Sequence, residues 1–293
     1  MGWEYNLMSA IQSLSAAGEG LMDALFAAVT FFGEENFLLV AVFAIYWCLN
    51  KRMGEYLLFS LFTSISINSL IKDTMRRPRP FLTEGWGGLR HVQIENVFVD
   101  TVSVGDSFSF PSGHSQCAGT FFTAVALWLK KGWGYAVAAV LILGVMVSRV
   151  YLGVHFPSDV IVGATLGILS SVVCYWFFNR FYEKKIWMFS AVLLLSLPTL
   201  FLTPSSDTVK IIGVGIGAIA GLVWEVKSIN FTVDGTFWHR VLRMLLGGAI
   251  ILVLRMGLKV IFPETMFFDG LRYGFMGVAA TGFIPWIFTR YKL

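Results

Sequence analysis

Three short polar stretches interrupt an otherwise apolar chain: KDTMRRPRP at 72–80, PSGH at 111–114 and SRVYLGVHFPSD at 148–159. They supply fixed cations, a helix start, two histidines and a carboxylate four residues from one of them, with no cysteine ligands. That inventory suits an oxyanion. Lys72, Arg79 and Arg149 can neutralise the outer oxygens of a phosphoryl group, Arg as a planar fork and Lys as a point charge. Pro111 leaves no amide to satisfy at a helix start, and Ser112 and Gly113 are expected to aim backbone N–H groups at the same anion. Gly113 also lets the backbone come close. His155 followed by Asp159 reads as an imidazole oriented by a carboxylate, the pattern of an activated base or nucleophile. His114, on another helix, is then available to protonate a leaving oxygen.

These groups must be held by helices in a membrane. Of 293 residues, 56% are hydrophobic and 14% charged, against about a quarter charged in soluble domains. The net charge of +4 comes from Lys and Arg between apolar runs, so it reads as a topology signal rather than a nucleic-acid surface. A helical crossing takes about 20 residues, which predicts nine spans at 36–50, 56–71, 115–129, 133–151, 159–178, 186–202, 209–224, 242–262 and 273–288. Glu34 and Glu35 mark an interface, because a carboxylate deeper in the bilayer costs a few kcal/mol. Residues 5–32 carry apolar groups at helical spacing and read as a helix lying on the membrane surface. The first residues lack a signal-peptide pattern and are expected to stay in the mature chain. The expected architecture is an all-α polytopic bundle. An amphipathic interfacial segment covers 1–35, a six-helix core 36–203 and a three-helix extension 204–293.

The basic loops near 51, 130, 184, 227–243 and 290 fall on one face, which the positive-inside rule makes cytoplasmic. The polar stretches then face outward. Arg76, Arg77, Arg79 and Arg90 break that rule unless they have another task; a solvated face is the plain reading of Arg76 and Arg77. Cys48, Cys117 and Cys174 lie in apolar runs and read as small buried hydrophobes. Gly213, Gly217 and Gly221 form a stripe suited to close helix packing inside the chain. His239, beside Arg240, reads as interface decoration.

Lys72, six residues, Arg79-Pro80; then Pro111-Ser112-Gly113-His114; then Ser148-Arg149, five residues, His155, three residues, Asp159: this three-part pattern resembles the signature of the type 2 phosphatidic acid phosphatase superfamily. The resemblance implies a metal-independent membrane phosphatase with no cofactor. In it His155 forms a phosphohistidine, Asp159 orients it and His114 acts as acid. Lys72, Arg79, Ser112, Gly113 and Arg149 hold the phosphate. The substrate expected is a membrane lipid phosphate or diphosphate: an isoprenoid diphosphate such as undecaprenyl diphosphate, phosphatidic acid, phosphatidylglycerophosphate or a sphingoid phosphate. It would be handled at the outer face of a bacterial plasma membrane. The same residues admit a lipid phosphotransferase, a vanadate-dependent haloperoxidase, against which the spans argue, or a non-catalytic lipid-binding protein, which leaves the histidines and Asp159 unexplained. Nothing in the sequence fixes an oligomeric state.

Overall fold

The computed structural model describes residues 2–84, 88–94, 101, 107–202 and 205–293. The chain is helical, with no strand among the described residues. In order the helices are α1 Gly2–Gln12, α2 Glu19–Thr30, α3 Glu35–Ala44, α4 Lys51–Met75, α5 Gly113–Leu129, α6 Gly132–Tyr151, α7 Pro157–Arg180, α8 Lys185–Ser196, α9 Thr199–Leu202, α10 Ser206–Trp224, α11 Phe237–Ile261, α12 Met266–Val278 and α13 Ile284–Arg290. Thr203 and Pro204, at the expected boundary between core and extension, lie outside the described residues.

Six helical stretches among the described residues are long and apolar enough to cross a membrane; α2 and α3, bent by 51° about Glu34, make a seventh if read together. The other two of the nine expected spans fall on α5, which has 17 residues, and on α12 with α13. Both have a physical reason to fall short. The start of α5 is polar and buried, with Ser115, Gln116 and Thr120 inside the protein, and the last pair opens with Asp269, Arg272 and three glycines in α12.

Where one surface helix is expected over 5–32, Gly18, at φ 132°, separates α1 with its 3₁₀ turn from α2. The inner face of α1 is Glu4, Met8 and Gln12, one residue per turn. Met8 packs with Val150, Phe156 and Val160. The Gln12 amide donates to the carbonyls of Arg90 (2.7 Å) and Tyr151 (3.0 Å) and accepts from the Arg90 N–H.

The chain divides into two compact units, Met1–Leu39 with Ile67–Trp176 and Val40–Ser66 with Phe177–Leu293. In the first, α5 and α7 meet along a seam of small residues. A Cβ on Gly163 would sit 2.5 Å from the Ser112 carbonyl oxygen, one on Gly167 2.2 Å from that of Gln116, and one on Gly119 2.7 Å from that of Ala164. In the second, the expected glycine stripe does pack inside the chain: Gly213 and Gly217 lie against the backbone of Gly270 and Gly274 on α12. Buried Glu225 and Glu55 pair with Lys51 and Lys185. The Trp47 indole donates to the Ala280 carbonyl (3.1 Å). His239 accepts from the Thr236 N–H at 3.1 Å and so caps α11. All three cysteines are free and buried.

The α5–α7 seam yields a stability prediction. Gly167→Ala forces a methyl group into a backbone carbonyl and should cost about 1–3 kcal/mol, whereas Gly248→Ala, with nothing near its Cβ, should leave the melting temperature in detergent unchanged.

Candidate active site

The three signature stretches converge within the first unit. Lys72 occupies the last turn of α4, and its Nζ lies 3.9 Å from where a Gly113 Cβ would be. Arg79 follows α4 and is 3% exposed. Its guanidinium donates to the Ser107 carbonyl (3.0 Å), the Ser107 hydroxyl (2.7 Å) and the Val154 carbonyl (2.9 Å), and Nη1 stands 3.3 Å from His155 Nε2. Arg149, in the last turn of α6, is 1% exposed. It donates from Nη1 to Thr30 Oγ1 at 3.1 Å, while its buried Nε has no acceptor.

His155 sits in the turn between α6 and α7, which Gly153 makes possible. Gly153 has φ 76° and lies so close to the Arg90 carbonyl that a Cβ would come within 2.1 Å of it. The histidine is 2% exposed. A guanidinium has only donors to offer, so Nε2 facing Arg79 carries the lone pair and the ring proton belongs on Nδ1. That nitrogen is 3.5 Å from Asp159 Oδ2 and 3.4 Å from Ser109 Oγ.

Asp159 is fully buried in the first turn of α7, where a carboxylate is favoured by the helix dipole. Its Oδ2 accepts from the Phe156 N–H at 2.9 Å and from the Ser109 hydroxyl; its Oδ1 accepts from Arg77 at 2.8 Å. Arg77 lies 3.8 Å over the Phe156 ring and reaches on to Glu4 at 2.9 Å. Glu4 in turn accepts from the Ser158 N–H at 3.2 Å and from its hydroxyl at 2.5 Å. Arg77 is therefore an internal ion-pair partner and not the solvated loop cation expected. Arg90 pairs with Asp23 at 2.9 Å, and Arg76 folds back onto the Asp73 carbonyl. The four arginines that break the charge rule all have partners in the protein.

Ser112 departs from expectation. Its N–H donates to the Asp159 carbonyl at 3.1 Å, and its hydroxyl caps α5 by accepting from Ser115 N–H. It therefore ties α5 to α7 and aims no amide at an anion. The amides that follow it in the first turn have no carbonyl of their own helix to bond. Ser148 donates to the Val145 carbonyl of its own helix (2.7 Å). His114 Nε2 is buried without a hydrogen bond and lies 3.6 Å from Glu34 Oε1.

Sequence reasoning missed Ser107, Ser109, Glu4 and Glu34 and misread Arg77. Arg77 had a signal, since it broke the charge rule; Glu4 and Glu34 had one in being carboxylates in an apolar chain. The two serines had none.

The PAP2 superfamily profile matches residues 55–183. Decaprenylphosphoryl-5-phosphoribose phosphatase of Mycobacterium tuberculosis is 35% identical over 168 residues, which are 56% of this chain and 84% of that protein. The chain belongs to the PAP2 superfamily. A second profile, the transmembrane extension of PAP2 superfamily phosphatases, matches residues 209–293, so the C-terminal helices belong to a recurring PAP2 arrangement. Phosphatidylglycerophosphatase B of Bacillus subtilis is 31% identical over 161 residues, 50% of this chain and 71% of that protein. The crystal structure of a transmembrane PAP2 type phosphatidylglycerolphosphate phosphatase from Bacillus subtilis aligns over 60% of this chain and 88% of that one, at 26% identity and a TM-score of 0.45.

The Glu4–Arg77–Asp159 chain can be tested by stability. Arg77→Leu strands two buried carboxylates and should cost on the order of 3 kcal/mol. Adding Glu4→Gln to it should recover part of that loss, read as melting temperature in detergent across the double-mutant cycle.

Proposed function

We propose that this PAP2 protein releases phosphate from a bilayer-anchored lipid phosphate or diphosphate, without a metal, through a phosphohistidine on His155. The observation that carries the reading is the setting of that ring, with Nε2 toward Arg79 and Nδ1 toward Asp159. Burial first, then Arg79, Arg149, Lys72 and His114, holds its pKa well below the ordinary 6.5. The ring is therefore neutral at physiological pH and Nε2 is ready to attack.

In the first step Nε2 bonds to phosphorus as the bond to the leaving oxygen breaks, and His114 gives that oxygen its proton. Asp159 holds the Nδ1 proton and stabilises the charge that the ring acquires. Water then attacks phosphorus and returns a proton to His114; the N–P bond breaks and inorganic phosphate leaves. Lys72, Arg79, Arg149 and the first-turn amides at Gly113 face the charge that spreads over the phosphoryl oxygens. The unpaired Arg149 Nε fits an acceptor at that place. Ser112 contributes by fixing the phosphate turn against α7.

A lipid is the substrate class that fits a site carried by apolar helices, and the relatives agree in kind: their names describe phosphatases of decaprenylphosphoryl-5-phosphoribose and phosphatidylglycerophosphate. By the charge pattern of the loops, the site opens on the outer face of a bacterial plasma membrane.

Purified protein should release phosphate from at least one of an isoprenoid diphosphate, phosphatidic acid, phosphatidylglycerophosphate or a sphingoid phosphate, with no loss in EDTA. His155→Ala should lower the rate by at least about 10⁴-fold. Retained activity in that variant, or abolition by chelator, overturns the mechanism. Labelled phosphate appearing in a second lipid rather than in solution would identify a transferase. The lowered pKa leaves His155 unprotonated as pH falls through 6.5, so its NMR signals in phosphate-free protein should not titrate between pH 6 and 8.

A further inference from the structure

The bend between α2 and α3 docks on two signature residues at once. Gly33 lies so close to α5 that a Cβ there would come within 3.0 Å of the His114 carbonyl oxygen and 2.8 Å of Val145 Cγ1. One turn earlier, Thr30 accepts the hydrogen bond from Arg149. The next residue, Glu34, has Oε2 fixed by the N–H of Glu35 at 3.2 Å and Oε1 placed 3.6 Å from His114 Nε2, an atom that is buried and makes no hydrogen bond. None of these N-terminal residues falls in the stretches that the family profiles match, 55–183 and 209–293.

The chemistry gives this carboxylate a task. A proton donor must be an imidazolium before the leaving oxygen needs its proton. His114, however, is buried, and burial first, then Arg149 and Lys72, pushes its pKa down to about 4. Glu34 is the anion among the groups that act on it. We propose that Glu34 is a positioning residue for the reaction, aiming the His114 ring and favouring its protonated, donating form as charge builds on the leaving oxygen, so that the N-terminal segment completes a site whose other parts come from α4 to α7. At 3.6 Å Glu34 Oε1 forms no hydrogen bond with His114 Nε2, so that nitrogen stays open to the leaving oxygen. This assignment rests on the phosphatase reading above and deepens it.

The test is leaving-group dependence, which a merely structural role would not move. A lipid alkoxide needs a proton to depart, whereas 4-nitrophenolate leaves without one. Glu34→Gln should lower kcat/KM for a lipid phosphomonoester about 10–100-fold, the range by which losing a carboxylate partner weakens a metal-ligating histidine. It should change kcat/KM for 4-nitrophenyl phosphate less than about 3-fold, the same split that His114→Asn gives by removing the acid. Glu34→Asp should restore part of the lipid activity. Adding Glu34→Gln to His114→Asn should cost nothing further. Equal losses on both esters, or additive losses in the double variant, overturn the assignment while the wild-type turnover keeps the phosphatase reading intact. Wild-type protein inactive on both esters overturns the reading and the assignment with it.

Discussion

A fully buried carboxylate needs compensation from every side, and Asp159 receives it. The Phe156 N–H, the Ser109 hydroxyl, Arg77 and the His155 ring surround its two oxygens. Its own backbone carbonyl accepts the Ser112 N–H. Side chain and main chain of one residue thus join the His155 turn, the loop before α5, the end of α4 and the start of α5. An uncompensated buried charge costs several kcal/mol, so each partner is held by the penalty of leaving. The Arg77 link carries the constraint onward to Glu4, which makes the placement of α1 part of the same account.

The fold class and the convergence of the three polar stretches were legible because both rest on strong local signals: long apolar runs in one case, fixed spacing of charged groups in the other. Helix α5 was legible as an element but not as a buried one, since a run of 17 residues with Ser115, Gln116 and Thr120 looks like a weak membrane span until its neighbours are known. The N-terminal segment was read by its own periodicity alone. That periodicity cannot say whether an inner face meets lipid headgroups or protein, and Glu4 and Gln12 became intelligible only when Arg77 and the Arg90 backbone stood opposite them. Ser112 shows the reverse case. Its type and position fit an anion turn, but its N–H was claimed by a carbonyl 47 residues away in sequence, which no local pattern announces.

The second unit uses the same two means. Its α10 and α12 approach through glycines, and its buried carboxylates Glu55 and Glu225 are each matched by a lysine, with the Tyr182 hydroxyl and the Phe231 N–H as second donors. Three π-helical turns, Ile45–Leu49, Glu225–Ile229 and Ala279–Phe283, fall in this unit and shift side chains out of regular helical register. The carbonyls of Ala280 and Thr281, in the last of them, receive the Trp47 indole and the Tyr46 hydroxyl.

The seam between α5 and α7 has a consequence for how such a protein diversifies. Gly119, Gly163 and Gly167 bring main chain against main chain where the two helices whose ends bear His114 and Asp159 meet. At these three positions mutation has no graded knob: any side chain larger than hydrogen pushes one backbone off the other. On the proposed reading, a change of lipid preference must come from residues away from this seam, which fixes the distance between His114 and Asp159.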